Sequence, residues 1–303
     1  MQKAGMIAIV GRPNAGKSTL LNSLLGMQLS IVTPKAQTTR ERVLGILTEG
    51  EGQIVFIDTP GIHRARDGGL NQFMVDEARG ALEAPHLIWY LVDPNSALLH
   101  ELQVVELLER ASAPVILVMN KMDQVGGRFS ADRAQKLTEE LTQALSDRGV
   151  QVQSTHHISG LSQIGTAELL KASWELIPEG PWLFSDPDQA SDRPTRFFVA
   201  EKIRSRLYYL LGEEIPYSCA VEIESFQENT RPVRIEAVIY VERESQKGMV
   251  IGQKGQKIKE IGQSARKDIE EFLGQQIFLG LKVKVLKEWT SNLESLKKIG
   301  MKR

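Results

Sequence analysis

Three short stretches carry residue types at the spacings that phosphate, metal and base chemistry need. Gly11-Arg12-Pro13-Asn14-Ala15-Gly16-Lys17-Ser18 reads G-x-x-x-x-G-K-S. Its glycines let the backbone curl so that successive N–H groups face phosphate oxygens, and the N-terminus of a following helix adds partial positive charge there. Lys17 then reaches β- and γ-phosphates, and the Ser18 hydroxyl is a Mg²⁺ ligand. Forty residues later, the apolar run Ile54–Ile57 ends in Asp58-Thr59-Pro60-Gly61. A carboxylate at a strand end facing the P-loop holds Mg²⁺ through water, and Gly61, lacking a Cβ, can bring its N–H against a γ-phosphate. Alone, Asp-Thr-Pro-Gly is an ordinary turn; its position behind a P-loop selects the metal reading.

The base is chosen at Asn120-Lys121-Met122-Asp123, which follows the strand-like run Val115–Met119. A carboxylate at Asp123 accepts from guanine N1–H and the 2-amino group. Adenine offers neither donor on that edge and leaves the charge unpaired, so such a site discriminates strongly. The Lys121 stem can cover the base, Asn120 can brace the loop, and a backbone N–H at Ser159-Gly160 can meet the guanine O6. Thr33–Arg40 suits a first switch segment, in which a threonine closes on Mg²⁺ when the γ-phosphate is present. Thr39 is the first candidate and Thr38 the second. Ile62–Gly69 suits a second switch, with Gly68 and Gly69 as hinges. Ile62 stands where Ras-like enzymes carry a water-orienting Gln. An isoleucine cannot orient water, so hydrolysis is expected to be slow or assisted.

The elements that must position these residues follow from periodicity. Met6–Val10, the pair Arg42–Thr48 and Gln53–Ile57, His86–Val92, Pro114–Met119 and Gln151–Ile158 read as strands. Asn71–Leu82, Leu98–Ser112, Ser130–Asp147 and Thr166–Ile177 read as helices. Strands alternating with helices imply an α/β domain, a mostly parallel sheet with helices on both faces, over residues 3–177. Ligands of such sheets sit at the carboxyl ends of strands, where every motif above falls.

The remaining composition narrows the class. The 303 residues suggest about two domains. One cysteine, Cys219, cannot form an internal disulfide and suits a reducing cytoplasm. No apolar run is long enough to span a membrane, and no signal-peptide apolar region follows the first residues. The net charge of −1 hides an asymmetry: residues 1–195 carry 17 Lys+Arg against 23 Asp+Glu, and residues 196–303 carry 20 against 15. A basic C-terminal third points to a polyanionic partner. His156 and His157 are neighbours on a strand, point to opposite faces, and are expected to be structural rather than metal ligands.

Residues 178–195, with four prolines among Gly, Ser and Asp, have the composition of a stiff linker. Beyond it come a helix (Arg196–Leu211), two strands (Tyr217–Phe226 and Val233–Val241), the loop Gly252-Gln253-Lys254-Gly255, a helix to about Leu273 and a strand (Ile277–Val285). A GxxG loop in the frame V-I-G-x-x-G-x-x-I marks a KH domain, here 196–303, of the smaller α+β type II form. Its glycines admit an RNA backbone, and Lys254 and the loop N–H groups meet phosphates. Lys247, Lys257 and Lys259 lie within the same acid-free stretch.

The order P-loop, D-T-P-G, N-K-x-D resembles the translation-factor-related GTPases; Gly160 departs from their usual Ser-Ala. With K-A-Q-T-T-R at Lys35–Arg40, V-E-R-E-x-Q-K at Val241–Lys247 and the KH frame, the resemblance extends over nearly the whole chain to the Era family of bacterial ribosome-assembly GTPases. It implies a GTP- and GDP-binding, Mg²⁺-dependent GTPase with Gly11–Ser18 and Gly61 on the phosphates and Ser18, Thr39 and Asp58 around the metal. Asn120, Lys121, Asp123, Ser159 and Gly160 take the guanine. Gly252, Gln253, Lys254, Gly255 and Lys257 take RNA. It also implies K⁺ at Asn14, in the place of an arginine finger; an ordinary loop hydrogen bond is the alternative role. The implied partners are the 3′ end of 16S rRNA and the immature small (30S) subunit, for a monomeric cytoplasmic chain with peripheral membrane contact through the basic tail Lys282–Arg303. Two alternatives stay open: an RNA chaperone that senses GTP against GDP without useful turnover, and a GTPase supporting an RNA-modifying enzyme, for which no catalytic cysteine loop or second cofactor motif is present.

Overall fold

A computed structural model describes residues 2–33, 35, 38–62, 69–212 and 214–301, with Leu293 described by its backbone alone. Pro34, Ala36 and Gln37 of the first switch, residues 63–68 of the second with the hinge candidate Gly68, and the last two tail residues lie outside the described residues. The chain forms two units, Met1–Ala65 with Met74–Asp192, and Arg66–Phe73 with Arg193–Arg303.

The first unit is built on six strands: β1 (Lys3–Gly11), β2 (Val43–Glu49), β3 (Gly52–Asp58), β4 (Leu87–Val92), β5 (Val115–Met119) and β6 (Val152–His157). Every residue of β4 and β5 is buried, as expected of parallel strands covered on both faces. The order is β2-β3-β1-β4-β5-β6, parallel except for β2 against β3. Glu49 pairs with Gly52, so Gly50 and Glu51 make a two-residue hairpin turn. The chain leaves β1 toward β3 on one side and β4 on the other. The crevice at the end of β1 is therefore the switch point where ligands bind.

Helices α1 (Lys17–Leu25), α3 (Leu98–Leu108), α4 (Ala131–Ser146) and α5 (Thr166–Leu176) complete the pattern, with α2 (Gly69–Gly80) counted in this unit from Met74 onward. Leu20, Leu21 and Leu169 of α1 and α5 join one core with Ile54, Phe56 and Trp89. Val104, Val105, Leu137 and Leu141 of α3 and α4 join the other, with Ala8, Tyr90 and Leu117. Truncating one such leucine costs about 2–5 kcal/mol. Ser130 caps α4 by accepting from the Arg133 N–H, and Gly69 opens α2 with φ +63°.

Residues 178–192 do not hang free. Gln53, fully buried in β3, accepts from the Leu183 and Phe184 N–H groups and donates to Phe184 O. Ile46 N–H donates to Ala190 O, and Ser191 Oγ to Leu44 O. The segment thus lines the outer edge of the β2–β3 hairpin.

The second unit runs α6 (Thr195–Leu210), β7 (Ala220–Gln227), β8 (Val233–Val241), α7 (Glu244–Ile251), α8 (Gln256–Leu273), β9 (Ile277–Val285) and α9 (Leu293–Lys298). Its sheet order is β7-β8-β9, antiparallel then parallel. Val233, Ile235, Ala237, Ile239 and Val241 alternate into a core with Val199 and Ile203 of α6 and Ile261 and Ile269 of α8. Cys219 is buried and free. Lys284 pairs with Glu224 at 2.7 Å, and Lys282 lies 3.9 Å from Glu224 and Glu236, so two cations of the basic tail are already matched. Trp289 is buried, its Nε1 donating to Ser218 O.

Candidate active site

The loop between β1 and α1 wraps a cavity of about 450 Å³ lined by Asn14, Gly16, Lys17, Ser18, Thr38, Thr39 and Gly61, with Asp93, Lys121 and Arg128 on its other side. Lys17 is buried and donates to Gly11 O and Arg12 O, both at 3.0 Å. Burial pulls its pKa down to about 8, and the Asp58 and Glu101 carboxylates oppose that pull.

Ser18, Thr39 and Asp58 converge. Ser18 Oγ donates to Asp58 Oδ2 at 2.7 Å and lies 3.0 Å from Thr39 Oγ1. Thr38 also lines the cavity, but Thr39 is the threonine that touches Ser18. Asp58 is fully buried, and burial raises its carboxyl pKa against the pull of Lys17. Its Oδ1 has no hydrogen-bond partner among the described residues. A buried carboxylate oxygen without a donor, beside two hydroxyls, is an all-oxygen set that fits a hard divalent cation and its waters.

Thr59 Oγ1 donates to Ile9 O and ties the segment after β3 to β1. A Cβ at Gly61 would lie 2.6 Å from Pro13 N and Cα, so this glycine is already required by the packing of the P-loop. Ile62 donates its N–H to Gly11 O at 3.0 Å and buries its side chain in the core of Ala8 and Val10.

Asn120, buried after β5, donates to Ala15 O at 2.9 Å and accepts from the Gly160 N–H at 2.8 Å. The Gly160 N–H expected at the guanine O6 donates to Asn120 Oδ1 in this structure. A Cβ at Gly160 would sit 3.1 Å from Leu20 Cβ and 3.2 Å from Leu20 Cα, a tight fit against α1. Ser159 Oγ donates to Asp123 Oδ1 at 2.5 Å and orients the carboxylate expected to read guanine.

In the second unit the GxxG loop is a single 3-10 turn, Gln253–Gly255, between α7 and α8. Gly252, Lys254 and Gly255 have φ of +72°, +51° and +78°. A Cβ at Gly252 would meet Lys257 Cβ at 2.6 Å, whereas one at Gly255 meets nothing within 4 Å. The loop's charge is smaller than the acid-free stretch suggests: Lys257 pairs with Glu260 at 2.7 Å and Lys247 lies 3.9 Å from Glu244. Lys254 and Lys259 make no ion pair with a described residue.

Comparison with known proteins finds a family for each of the two domains. A family described as 50S ribosome-binding GTPase matches residues 6–121, and the KH domain family matches residues 214–290. The chain is 43% identical to GTPase Era of Carboxydothermus hydrogenoformans, over 95% of this chain and 94% of that one. It is 44% identical to GTPase Era of Geotalea uraniireducens, over 98% and 97%. The chain belongs to the Era family of GTPases. A crystal structure of an Era with MgGDPNP and nucleotides 1506–1542 of 16S ribosomal RNA superimposes with a TM-score of 0.91 at 37% identity, covering 99% of both chains. An Aquifex aeolicus Era variant bound to GDP·AlF4⁻ gives 0.90 at the same identity and coverage. The enzyme is a GTPase, and its architecture is the family's P-loop GTPase domain followed by a KH domain.

Asp93 and Arg128 line the cavity without belonging to any motif. Asp93 directly follows β4 and pairs with Lys121 Nζ at 2.8 Å. The available signal for Asp93 was a carboxylate after a fully apolar strand, the same pattern that marks Asp58. The two histidines are hydrogen-bonded apart, His156 with Ser154 and His157 with Thr138, and no cluster of three or more His, Cys, Asp or Glu suited to a metal exists among the described residues.

Proposed function

We propose that this GTPase is a slow, GTP-controlled switch whose KH domain binds the single-stranded 3′ end of 16S rRNA on the maturing small (30S) subunit. One observation carries the reading: the Ser18–Thr39–Asp58 cluster beside the P-loop occurs in the same chain as a strained, exposed GxxG loop. The first can register a γ-phosphate through the threonine, and the second can admit an RNA backbone. The relative crystallised with 16S RNA supports the small subunit over the large one named in the GTPase family's description.

Ser18, Thr39 and Asp58 hold Mg²⁺ in this reading, and the ion supplies charge neutralisation between β- and γ-phosphates. Lys17 adds a buried positive charge. Ile62 offers no group to orient the attacking water, which supports slow turnover. Asn14, in the cavity wall at φ +65°, is the candidate for K⁺. The chain acts as a cytoplasmic monomer, and peripheral membrane contact would fall to those tail lysines that lack a carboxylate partner.

The test is affinity of the full chain for a single-stranded oligonucleotide of the 16S 3′ end, against a duplex of the same sequence, with a GTP analogue and with GDP. Single-strand preference, lost in Gly255→Asp, supports the reading. That substitution places a carboxylate where space is open, at the cost of a positive φ. Lys254→Ala should weaken binding modestly and lower its salt dependence by about one phosphate contact. Equal binding of Gly255→Asp and wild type removes the KH loop as the RNA site.

A further inference from the structure

Asp93 directly follows β4, and its carboxylate is held from two sides. Oδ2 takes Lys121 Nζ at 2.8 Å, and Oδ1 accepts the Asn95 N–H at 2.8 Å. The turn that carries it is fixed in turn: Ser96 N–H donates to Asp93 O, and Arg133 of α4 reaches Pro94 O through Nε at 3.0 Å and Asn95 O through Nη2 at 2.9 Å. A carboxylate placed this firmly can fix its partner.

That partner is constrained as well. Lys121 has φ +63°, a conformation few non-glycine residues adopt. Its Cε lies 4.0 Å from where a Cβ on Gly16 would be. The lysine chain therefore runs from the loop after β5 across the P-loop turn and ends on Asp93. Both side chains line the cavity, 22% and 24% exposed, where screening is incomplete and a short charge-assisted hydrogen bond can hold a flexible stem.

We propose that Asp93 is a positioning residue for nucleotide capture: by anchoring Lys121 Nζ it holds the lysine's methylene stem as a preformed wall of the cavity. Base and sugar then meet an ordered surface rather than a side chain whose rotamers must be frozen on binding. GTP and GDP share base and sugar, so both should feel the anchor equally. The γ-phosphate chemistry, on the Ser18–Asp58 side, should not.

The experiment is a double-mutant cycle read by nucleotide titration, with Asp93→Asn, Lys121→Met and the pair. Asparagine keeps the oxygen that accepts the Asn95 N–H, removes the charge and turns an N–H donor toward Lys121 Nζ, so the anchor is lost while the turn is kept. Asp93→Asn should weaken GDP and a GTP analogue by the same factor, about five- to tenfold. The loss should appear in KM, with the single-turnover rate at saturation changed less than about twofold. Added to Lys121→Met, it should cost nothing further. Unchanged affinity, a loss confined to GTP, or losses that multiply in the double variant would each overturn the proposal. Should Asp93→Asn lower the unfolding temperature of the protein without nucleotide, Asp93→Ser, whose hydroxyl can also accept from the Asn95 N–H, carries the same cycle.

Discussion

Asn120 Nδ2 and Ala15 O lie 2.9 Å apart across 105 residues of sequence, and this bond joins the loop after β5 to the loop between β1 and α1. The other end of the same amide accepts from Gly160, so one buried side chain sets three loops in register. Asn120→Ala would leave a buried carbonyl and a buried N–H unpaired, at about 1–3 kcal/mol each. The expected outcome is a lowered midpoint in urea together with weakened GTP and GDP binding. A midpoint equal to wild type would show that the loops hold their places without it.

Asp123→Asn tests base choice. The substitution keeps the shape but removes the charge and presents a donor where guanine also donates. Affinity should shift from guanosine to xanthosine nucleotides, whose base offers a carbonyl at that position, and competition titrations measure the ratio. Undiminished GTP affinity would remove Asp123 from the base site.

Lys17 gives the pH dependence. Burial lowers its pKa in the folded chain from 10.5 to about 8. Phosphates favour the charged lysine, so nucleotide affinity should be greatest below pH 8 and fall as pH rises through it. For stability without nucleotide the sign is opposite. Between about pH 8 and 10.5 the unfolded chain holds the proton that the folded chain has released, so this lysine's unfavourable contribution shrinks as pH rises. GDP titrations at pH 7 and 8.5 check the first sign: affinity that is flat across this interval would mean the lysine stays charged throughout.

The K⁺ assignment is tested by single-turnover hydrolysis in KCl and NaCl at equal ionic strength. Wild type should be faster in K⁺, and Asn14→Ala should run at one rate in both salts. If wild type also hydrolyses equally in both, Asn14 is a loop-bracing residue and the missing catalytic charge must come from outside the chain.

The legible parts of the site were those in which a fixed chemical task demands fixed neighbours in sequence. Gly11–Ser18, Asp58–Gly61 and Asn120–Asp123 are local peptides, each at the carboxyl end of a strand, and the α/β pattern placed those ends together. Thr39 could be preferred to Thr38 but not placed, because its contact with Ser18 spans 21 residues of irregular chain. The bond from the Gly160 N–H to Asn120 was invisible for the same reason, at a separation of 40. Asp93 lies in a peptide, Asp93-Pro94-Asn95-Ser96, that reads as an ordinary turn until Lys121 is seen beside it. Prolines and aspartates in residues 178–192 describe a spacer and carry no sign of the pairing with Gln53, which links residues about 130 apart.

That last pairing has a practical meaning for anyone cutting the gene. A fragment ending at Ile177, where the periodic pattern stops, would carry every nucleotide-binding motif. It would also lay bare the Gln53 amide and strip the acceptor from Ile46 N–H along an outermost strand. Such a strand is a template for self-association. The catalytic half is therefore better excised after Asp192, with the proline-rich segment kept as part of its body, and the shorter piece is the one that should precipitate.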